Sequence, residues 1–171
     1  MATTLRQPPA WRALEEAYQA GKLRSIGVSN FLPADLDNII EHAVIAPQVN
    51  QILVHAGNTP KDLIAYSRSK DILIEAYSPI AHGEILNNPT VAAMAERYGV
   101  SVPQLCIRYT IQLGTVSLPK TANPEHMRSN AEIDFDISET DLDTCATWRR
   151  RTTVTMPPSR STAASRPAPA S

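Results

Sequence analysis

The residues best suited to chemistry follow strand-like segments of this 171-residue sequence. Leu23–Ser29 has the pattern of a short strand, and Ser29-Asn30 supplies a hydroxyl and a carboxamide at its end. Ligands bind beyond the carboxyl ends of parallel strands. Ser29 and Asn30 are therefore candidate ligand contacts, although the same two residue types also suit an ordinary turn.

Two further strands bring polar and aromatic side chains toward the same edge. Gln51 lies within the strand pattern Pro47–Val54, where its amide must be exposed or hydrogen-bonded. Asn50 faces the opposite side, because side chains alternate along a strand. Tyr77-Ser78-Pro79 ends the next strand. The ring of Tyr77 offers a flat surface for stacking, and the alternative is an aromatic residue of the core or of its edge.

A basic segment follows a fourth strand pattern, Thr115–Leu118. That strand delivers Lys120 and Thr121 to the edge, and Asn123-Pro124 has the residue types of a helix start. Free backbone N–H groups at a helix start favour an anion. The basic side chains that would join them are Lys120, His126 and Arg128. The segment is thus either an anion site or a solvated basic patch.

These segments belong to a regular alternation of helices and strands. One helix precedes the first strand, and helical patterns follow each of four strands, which begin near residues 25, 48, 72 and 115. A loop is predicted after Pro79, and the predicted helix starts are Thr59, Asn88, Ser101, Asn123 and Ser138. Such alternation predicts a parallel sheet covered by helices. A (β/α)8 barrel takes ~250 residues in eight units, so four units predict half of a TIM barrel of the α/β class.

Charge divides the chain into unlike segments. Residues 1–148 hold 11 Lys and Arg against 17 Asp and Glu, a net charge of −6, whereas residues 149–171 hold five Arg and no acid. The basic segment is otherwise Pro, Ser, Thr and Ala with one Val and one Met, so we predict a disordered tail. We also predict a disordered N-terminus over 1–9 and a folded domain over 10–148.

The composition also limits the classes of protein to consider. No stretch reaches the ~18 apolar residues of a membrane helix, and the N-terminus lacks the apolar core of a secretory signal. Two cysteines are too few for a disulfide scaffold, which favours a cytoplasmic location. The basic tail either binds a nucleic acid or an anionic surface or has no selected role. Its five arginines are scattered and have no aromatic residues between them, so a nucleic acid is not the expected partner. Without a membrane helix, a membrane is not expected either.

In their order and spacing, these segments resemble the C-terminal half of an aldo-keto reductase. The resemblance covers about residues 10–145. Two segments resemble family signatures, Gly21-Lys-Leu-Arg-Ser-Ile-Gly-Val-Ser-Asn-Phe31 and Leu118-Pro-Lys-Thr through Asn130. Val49-Asn-Gln-Ile52 and Ala76-Tyr-Ser-Pro79 match strands between them. The branch resembles bacterial enzymes similar to 2,5-diketo-gluconate reductase, on account of Ile107-Arg-Tyr109 and Pro119 to His126.

The resemblance implies NADP(H) as cofactor and a small carbonyl compound as substrate. By position, Ser29, Asn30 and Gln51 would hold the nicotinamide carboxamide, and Tyr77 would stack on the ring. Ser78 and Ile80 would line the pyrophosphate. The 2′-phosphate and adenine contacts would be Lys120, Thr121, His126 and Asn130. His126 stands where the family signature usually has Arg, and His82 where many relatives have a small polar residue.

The resemblance also implies catalytic residues on four earlier strands, and none is predicted within this sequence. Tyr18, Tyr66, Tyr98 and Tyr109 are predicted on helices, away from the position of a proton donor. One hypothesis is therefore an NADP(H)-dependent reductase of aldehydes and ketones whose isolated chain is inactive. The alternative is a non-catalytic remnant with at most weak dinucleotide binding. No metal site is predicted.

The predicted half-sheet has two open edges, one at the first strand and one at the fourth. A parallel sheet is normally buried on both faces, and an unpaired edge strand exposes backbone groups. We therefore predict either a weakly stable monomer or a dimer in which two half-sheets close against each other.

Overall fold

The computed structural model describes residues 9–148. The predicted disordered tail, 149–171, and all but the last residue of the predicted N-terminal segment lie outside the described residues. Pro9 begins the first helix, because a proline has no N–H to leave unpaired at that position. The helices are α1 (Pro9–Gln19), α2 (Pro33–His42), α3 (Lys61–Ser69), α4 (Pro89–Arg97), α5 (Val102–Gln112), α6 (Pro124–Ser129) and α7 (Glu139–Thr147). The strands are β1 (Gly27–Ser29), β2 (Val49–Leu53), β3 (Leu73–Tyr77) and β4 (Val116–Leu118).

The four strands form one parallel sheet in the order β1-β2-β3-β4. Ser29 is paired in register with Gln51, Gln51 with Glu75, and Glu75 with Val116. The carboxyl ends of all strands therefore meet at one edge of the sheet, called the rim below. The predicted strand–helix alternation and the parallel α/β sheet are confirmed.

Helices cover one face of this sheet. Ile52, Ile74 and Ala76 point into a core with Leu36 of α2 and Leu63 of α3, and the three strand residues are 0–3% exposed. A second core joins α4, α5 and α7 around the side chains of Met94, Leu105, Tyr109 and Cys145. This face holds the sheet in place and carries the apolar burial that stabilises the domain.

The other face of the sheet, called the inner face, is open within residues 9–148. It consists of Gly27, Ser29, Val49, Gln51, Leu53, Leu73, Glu75, Tyr77, Val116 and Leu118. Leu73, Val116 and Leu118 are 46%, 41% and 36% exposed, respectively. In most parallel sheets both faces are buried, so exposed leucine and valine side chains on the inner face are unusual.

Four predicted helix starts have the expected side-chain caps. Asn88, Ser101, Asn123 and Ser138 each accept a hydrogen bond from a backbone N–H of the following first turn. The capping prediction for Thr59 is wrong. Its hydroxyl lies 2.6 Å from the Tyr109 hydroxyl instead.

Several elements also differ in extent from the sequence prediction. β1 begins at Gly27 and not at residue 23, because the N–H of Ile26 binds the side-chain Oε1 of Gln48 and not a neighbouring strand. β2 is likewise shorter at both ends than 47–54. The predicted loop after Pro79 contains a 3₁₀ segment, Ala81–Asn87, with left-handed backbone at His82 and Gly83.

Candidate functional site

Four predicted ligand contacts, Ser29, Asn30, Gln51 and Tyr77, come together at the rim. Ser29 Oγ donates to the backbone oxygen of Gln51 at 3.1 Å, and the Asn30 backbone N–H donates to the same oxygen at 2.9 Å. Asn30 has a left-handed backbone, with φ of 57°, which Asn tolerates better than most residues. The Tyr77 hydroxyl donates to Asn30 Oδ1 at 3.3 Å. One hydrogen-bonded group thus spans β1, β2 and β3.

The two carboxamides of β2 have different surroundings. Asn50 is fully buried and binds the backbone of Phe31 at both ends, accepting from its N–H at 3.3 Å and donating to its oxygen at 2.9 Å. Gln51 is half-buried on the inner face, and its Nε2 donates to Glu75 Oε2 at 2.8 Å. The expectation that Asn50 and Gln51 face opposite sides is confirmed.

Glu75 is a residue that the sequence prediction missed. It lines a groove of about 350 Å³ with Gly27, Ser29, Val49 and Gln51. A side chain on Gly27 would lie 2.7 Å from the Val49 backbone oxygen, so the close approach of β1 and β2 requires glycine there. The signal was available, because Glu75 and Tyr77 are two apart in one strand and must share a face.

The turn after Tyr77 is strained and polar. Ser78, Ala81 and His82 have φ values of 53°, 47° and 54°, a region that costs ordinary residues free energy and is common at binding sites. Ser78 Oγ lies 3.2 Å from His82 Nε2. Ile80 packs against the core of α4, α5 and α7. The turn therefore holds a hydroxyl and an imidazole beside the rim.

The segment after β4 forms the other part of the site. Lys120 is exposed and follows Leu118, which is in register with Tyr77, so both segments leave the sheet at the same edge. Thr121 Oγ1 accepts from the Asn123 N–H at 3.1 Å. Among residues 9–148, no carboxylate lies within salt-bridge distance of Lys120.

The short helix α6 supplies the last two predicted residues. His126 is exposed, and Asn130 follows the last turn with its N–H bonded to the His126 oxygen at 2.9 Å. Within the described residues, no hydrogen bond joins α6 to the group around Asn30 and Tyr77. The predicted residues thus form two sets along one rim.

The remaining tyrosines lie on helices or, for Tyr98, at a helix end, away from the inner face. The hydrogen bond to Asp37 raises the pKa of Tyr66. Burial raises the pKa of Tyr109 to about 12, and its hydroxyl is bonded to Thr59. The Tyr98 hydroxyl donates to Asp141, which lowers the pKa of that carboxyl. The hydroxyl groups of Tyr66, Tyr98 and Tyr109 are thus each bonded to another side chain of the fold.

Two negative findings apply to residues 9–148. No helix there has the length and apolar character needed to cross a bilayer. No three His, Cys, Asp or Glu side chains are grouped there in a way that could hold a metal ion.

Comparison with known proteins gives one family throughout. The profile of the Aldo/keto reductase family matches residues 3–149. Glyoxal reductase of Bacillus subtilis is 40% identical over 134 residues, which are 78% of this chain and 49% of that protein. The chain therefore spans about half the length of the curated relatives it matches.

Solved structures agree with this result. An aldo-keto reductase from a deep-sea metagenome library of the Medee basin aligns with a TM-score of 0.80 and 32% identity, covering 85% of this chain and 55% of that one. A Bombyx mori aldo-keto reductase in complex with NADP aligns with a TM-score of 0.77 and 30% identity, covering 85% and 51%. The predicted fold class, half of a (β/α)8 barrel, is confirmed.

Proposed function

Because this chain belongs to the aldo/keto reductase family, we propose that it carries the dinucleotide-binding part of an NADP(H)-dependent reductase of aldehydes and ketones. The family assignment supports oxidoreductase chemistry. The NADP-bound structure from Bombyx mori supports the cofactor, because that protein aligns with 85% of this chain. The substrate class follows from the family resemblance.

The observation that carries the proposal is the hydrogen-bonded group Ser29, Asn30, Gln51 and Tyr77 at the rim. Its amide and hydroxyl groups match the donors and acceptors of a pyridine carboxamide. The half-exposed ring of Tyr77 offers a stacking surface. We assign Ser29, Asn30 and Gln51 to the carboxamide and Tyr77 to the nicotinamide ring.

The phosphate-bearing part of the dinucleotide is assigned to the other residues of the rim. Ser78 and Ile80 are proposed to line the pyrophosphate, and Lys120 and Thr121 to hold the 2′-phosphate. Lys120 suits this role because it follows a strand end and has no acidic partner among residues 9–148. We place His126 near the same phosphate and Asn130 near the adenine.

The dinucleotide, when bound, supplies a hydride to the carbonyl carbon. The alkoxide that develops needs an acid within hydrogen-bond reach. Among the described residues, Tyr77 is the tyrosine at the rim, and its hydroxyl already donates to Asn30. We therefore expect the 171-residue polypeptide alone to bind the dinucleotide weakly and to give no turnover. In this respect it would behave like the non-catalytic remnant that is the alternative hypothesis.

Calorimetric titration with NADPH tests the binding proposal. Lys120→Ala is expected to weaken NADPH binding about tenfold, the loss of one charge-assisted contact. Lys22→Ala removes an exposed lysine of the loop after α1 and should leave the affinity unchanged. Equal affinities for both variants and the wild type, or absence of heat with the wild type, would refute the assignment.

Consumption of NADPH, followed at 340 nm with small aldehydes, tests the expected inactivity. A rate comparable to that of a full-length family member would show that an acid is present after all. Each preparation of the polypeptide used for calorimetry should also be assayed for NADPH consumption. Binding and turnover are then compared on one sample.

We also propose that the polypeptide associates with itself. β1 and β4 are the edge strands of the sheet among residues 9–148, and they run in the same direction. A two-fold axis along the barrel axis would therefore pair each β1 with the β4 of a second copy. The exposed Leu73, Val116 and Leu118 would then face a common interior. Size-exclusion chromatography with light scattering should give a dimer mass, and a compact monomer with a cooperative unfolding transition would contradict it.

A cytoplasmic location remains part of the proposal. Both cysteines, Cys106 and Cys145, are unpaired and buried. Free thiols are the usual state in a reducing compartment. Fractionation of cells that express the chain would test this location.

A further inference from the structure

Glu75 is the single charged side chain on the inner face among residues 9–148. It stands in register with Gln51, which stands in register with Ser29. All three border the same groove. The carboxylate is therefore placed next to the amide that the proposed function assigns to the nicotinamide carboxamide.

The carboxylate decides which way the Gln51 amide points. Glu75 Oε2 accepts from Gln51 Nε2 at 2.8 Å. A carboxylate has no proton to donate, so the reversed amide would bring the Gln51 oxygen against the carboxylate oxygens. Glu75 thus holds the amide nitrogen toward β3 and leaves the amide oxygen as an acceptor, to which no side chain of residues 9–148 donates.

A fixed acceptor has a chemical consequence for the ligand. An amide N–H on a pyridine ring can donate to the Gln51 oxygen. A carboxylate on the same ring has no N–H, and its negative charge would meet both that oxygen and the nearby Glu75. Two acceptors facing each other without a proton are repulsive, and like charges placed together are strongly disfavoured.

We infer that Glu75 is a specificity-determining residue, which orients Gln51 so that the rim accepts a pyridine-carboxamide dinucleotide and rejects the corresponding pyridine carboxylate. The inference rests on the proposed function, because it assumes that the dinucleotide ring lies at this end of the sheet. Glu75 acts through Gln51 and through its own charge, and it needs no direct contact with the ring.

The test compares two dinucleotides on the 171-residue polypeptide. The dissociation constants of NADP⁺ and of nicotinic acid adenine dinucleotide phosphate are measured by calorimetry, and their ratio is the readout. Glu75→Gln keeps the size of the side chain but removes its charge, and its amide can pair with either orientation of Gln51. We expect the preference for NADP⁺ to fall at least tenfold, which corresponds to about 1.4 kcal/mol.

Three further variants separate specificity from general damage. Glu96→Gln makes the same change on the exposed surface of α4 and should leave the ratio unchanged. Glu75→Asp keeps the charge and should keep most of the preference. Gln51→Leu removes the oriented amide and should lower the preference even if Glu75→Gln fails to fold.

The outcomes are distinguishable. A wild-type ratio near one, or an unchanged ratio in a folded Glu75→Gln variant, overturns the role of Glu75 while NADP⁺ binding keeps the proposed function. Where Glu75→Gln does not fold, an unchanged ratio in Gln51→Leu overturns it. If the folded wild type binds neither dinucleotide, the proposed function fails and this inference fails with it. A ratio that falls in Glu75→Gln and not in Glu75→Asp or Glu96→Gln supports the inference.

Discussion

The two faces of the sheet each carry a carboxamide side chain of β2, but the two carboxamides differ in their hydrogen bonds. Asn50 and Gln51 are consecutive carboxamides of β2. Asn50 is 0% exposed, and both ends of its amide are bonded to the Phe31 backbone. Gln51 is half-buried, and only its nitrogen has a described partner, Glu75. A polar group with all its hydrogen bonds made inside the fold serves stability, whereas one with an unused acceptor on an open face is available to a ligand.

The largest expected effect tests this contrast through stability. Asn50→Leu would leave the half-buried Phe31 N–H and oxygen without their partner, and it would place an apolar side chain against them, which should lower the free energy of unfolding by about 2–4 kcal/mol. Gln51→Leu leaves the Glu75 carboxylate near solvent, so its cost should stay below about 1 kcal/mol. Urea denaturation measures both values, and equal losses would show that the two faces do not differ in this way.

The second prediction concerns pH and the covered face. Burial raises the pKa of the Cys106 thiol from 9.0 to about 12. Because this folded-state pKa lies above the unfolded one, the contribution of the thiol to stability is complete below pH 9 and is lost as the pH rises toward 12. Cys145, raised to about 11, acts in the same direction.

The measurement is the free energy of unfolding at a series of alkaline pH values. Cys106→Ala removes one titrating group and should flatten the fall between pH 9 and 12. The loss of volume lowers stability by the same amount at every pH, so the slope is the informative quantity. An identical slope in the wild type and the variant would mean that the thiol is accessible to water in the folded state.

How much of this arrangement the sequence predicts depends on the range of the interactions. The caps at Asn88, Ser101, Asn123 and Ser138 are local, and all four are correct. Thr59 is not a cap because its hydroxyl lies beside Tyr109, fifty residues away in sequence. The contact between Glu75 and Gln51 depends on the register of two strands, which the sequence alone does not specify. Long-range pairing is what a single sequence leaves out.

The candidate site residues follow the same rule. Their positions at strand ends are readable from the helix–strand alternation, and the rim gathers the group around Asn30 and Tyr77 as expected. The left-handed backbone at Ser78, Ala81 and His82 is not readable, because none of these residues is glycine. The surrounding packing, including that of Ile80, imposes it.

The third prediction tests the open face through binding. Tyr77→Ala removes the proposed stacking surface and should weaken NADPH binding about tenfold, since stacking of a ring is worth about 1–3 kcal/mol. Tyr77→Phe keeps the ring and loses only the 3.3 Å hydrogen bond to Asn30, so its effect should stay within about twofold. Calorimetry distinguishes the two. If Phe is as harmful as Ala, the hydroxyl and not the ring is the important group.

The smallest expected effect concerns the far end of the rim, where His126 stands in place of the Arg that is usual in the family signature. His126 is exposed, so any contact it makes with a phosphate is screened by water. A guanidinium is always charged and can bind a phosphate through two N–H groups, whereas an imidazole is charged only in part near neutral pH. His126→Arg should therefore raise the preference for NADPH over NADH by about threefold, within the range of a single exposed ion pair. The gain should shrink in high salt, as expected for an exposed charge. A preference that is unchanged at low salt would place the 2′-phosphate with Lys120 and Thr121 alone, and His126 would then have no part in binding it.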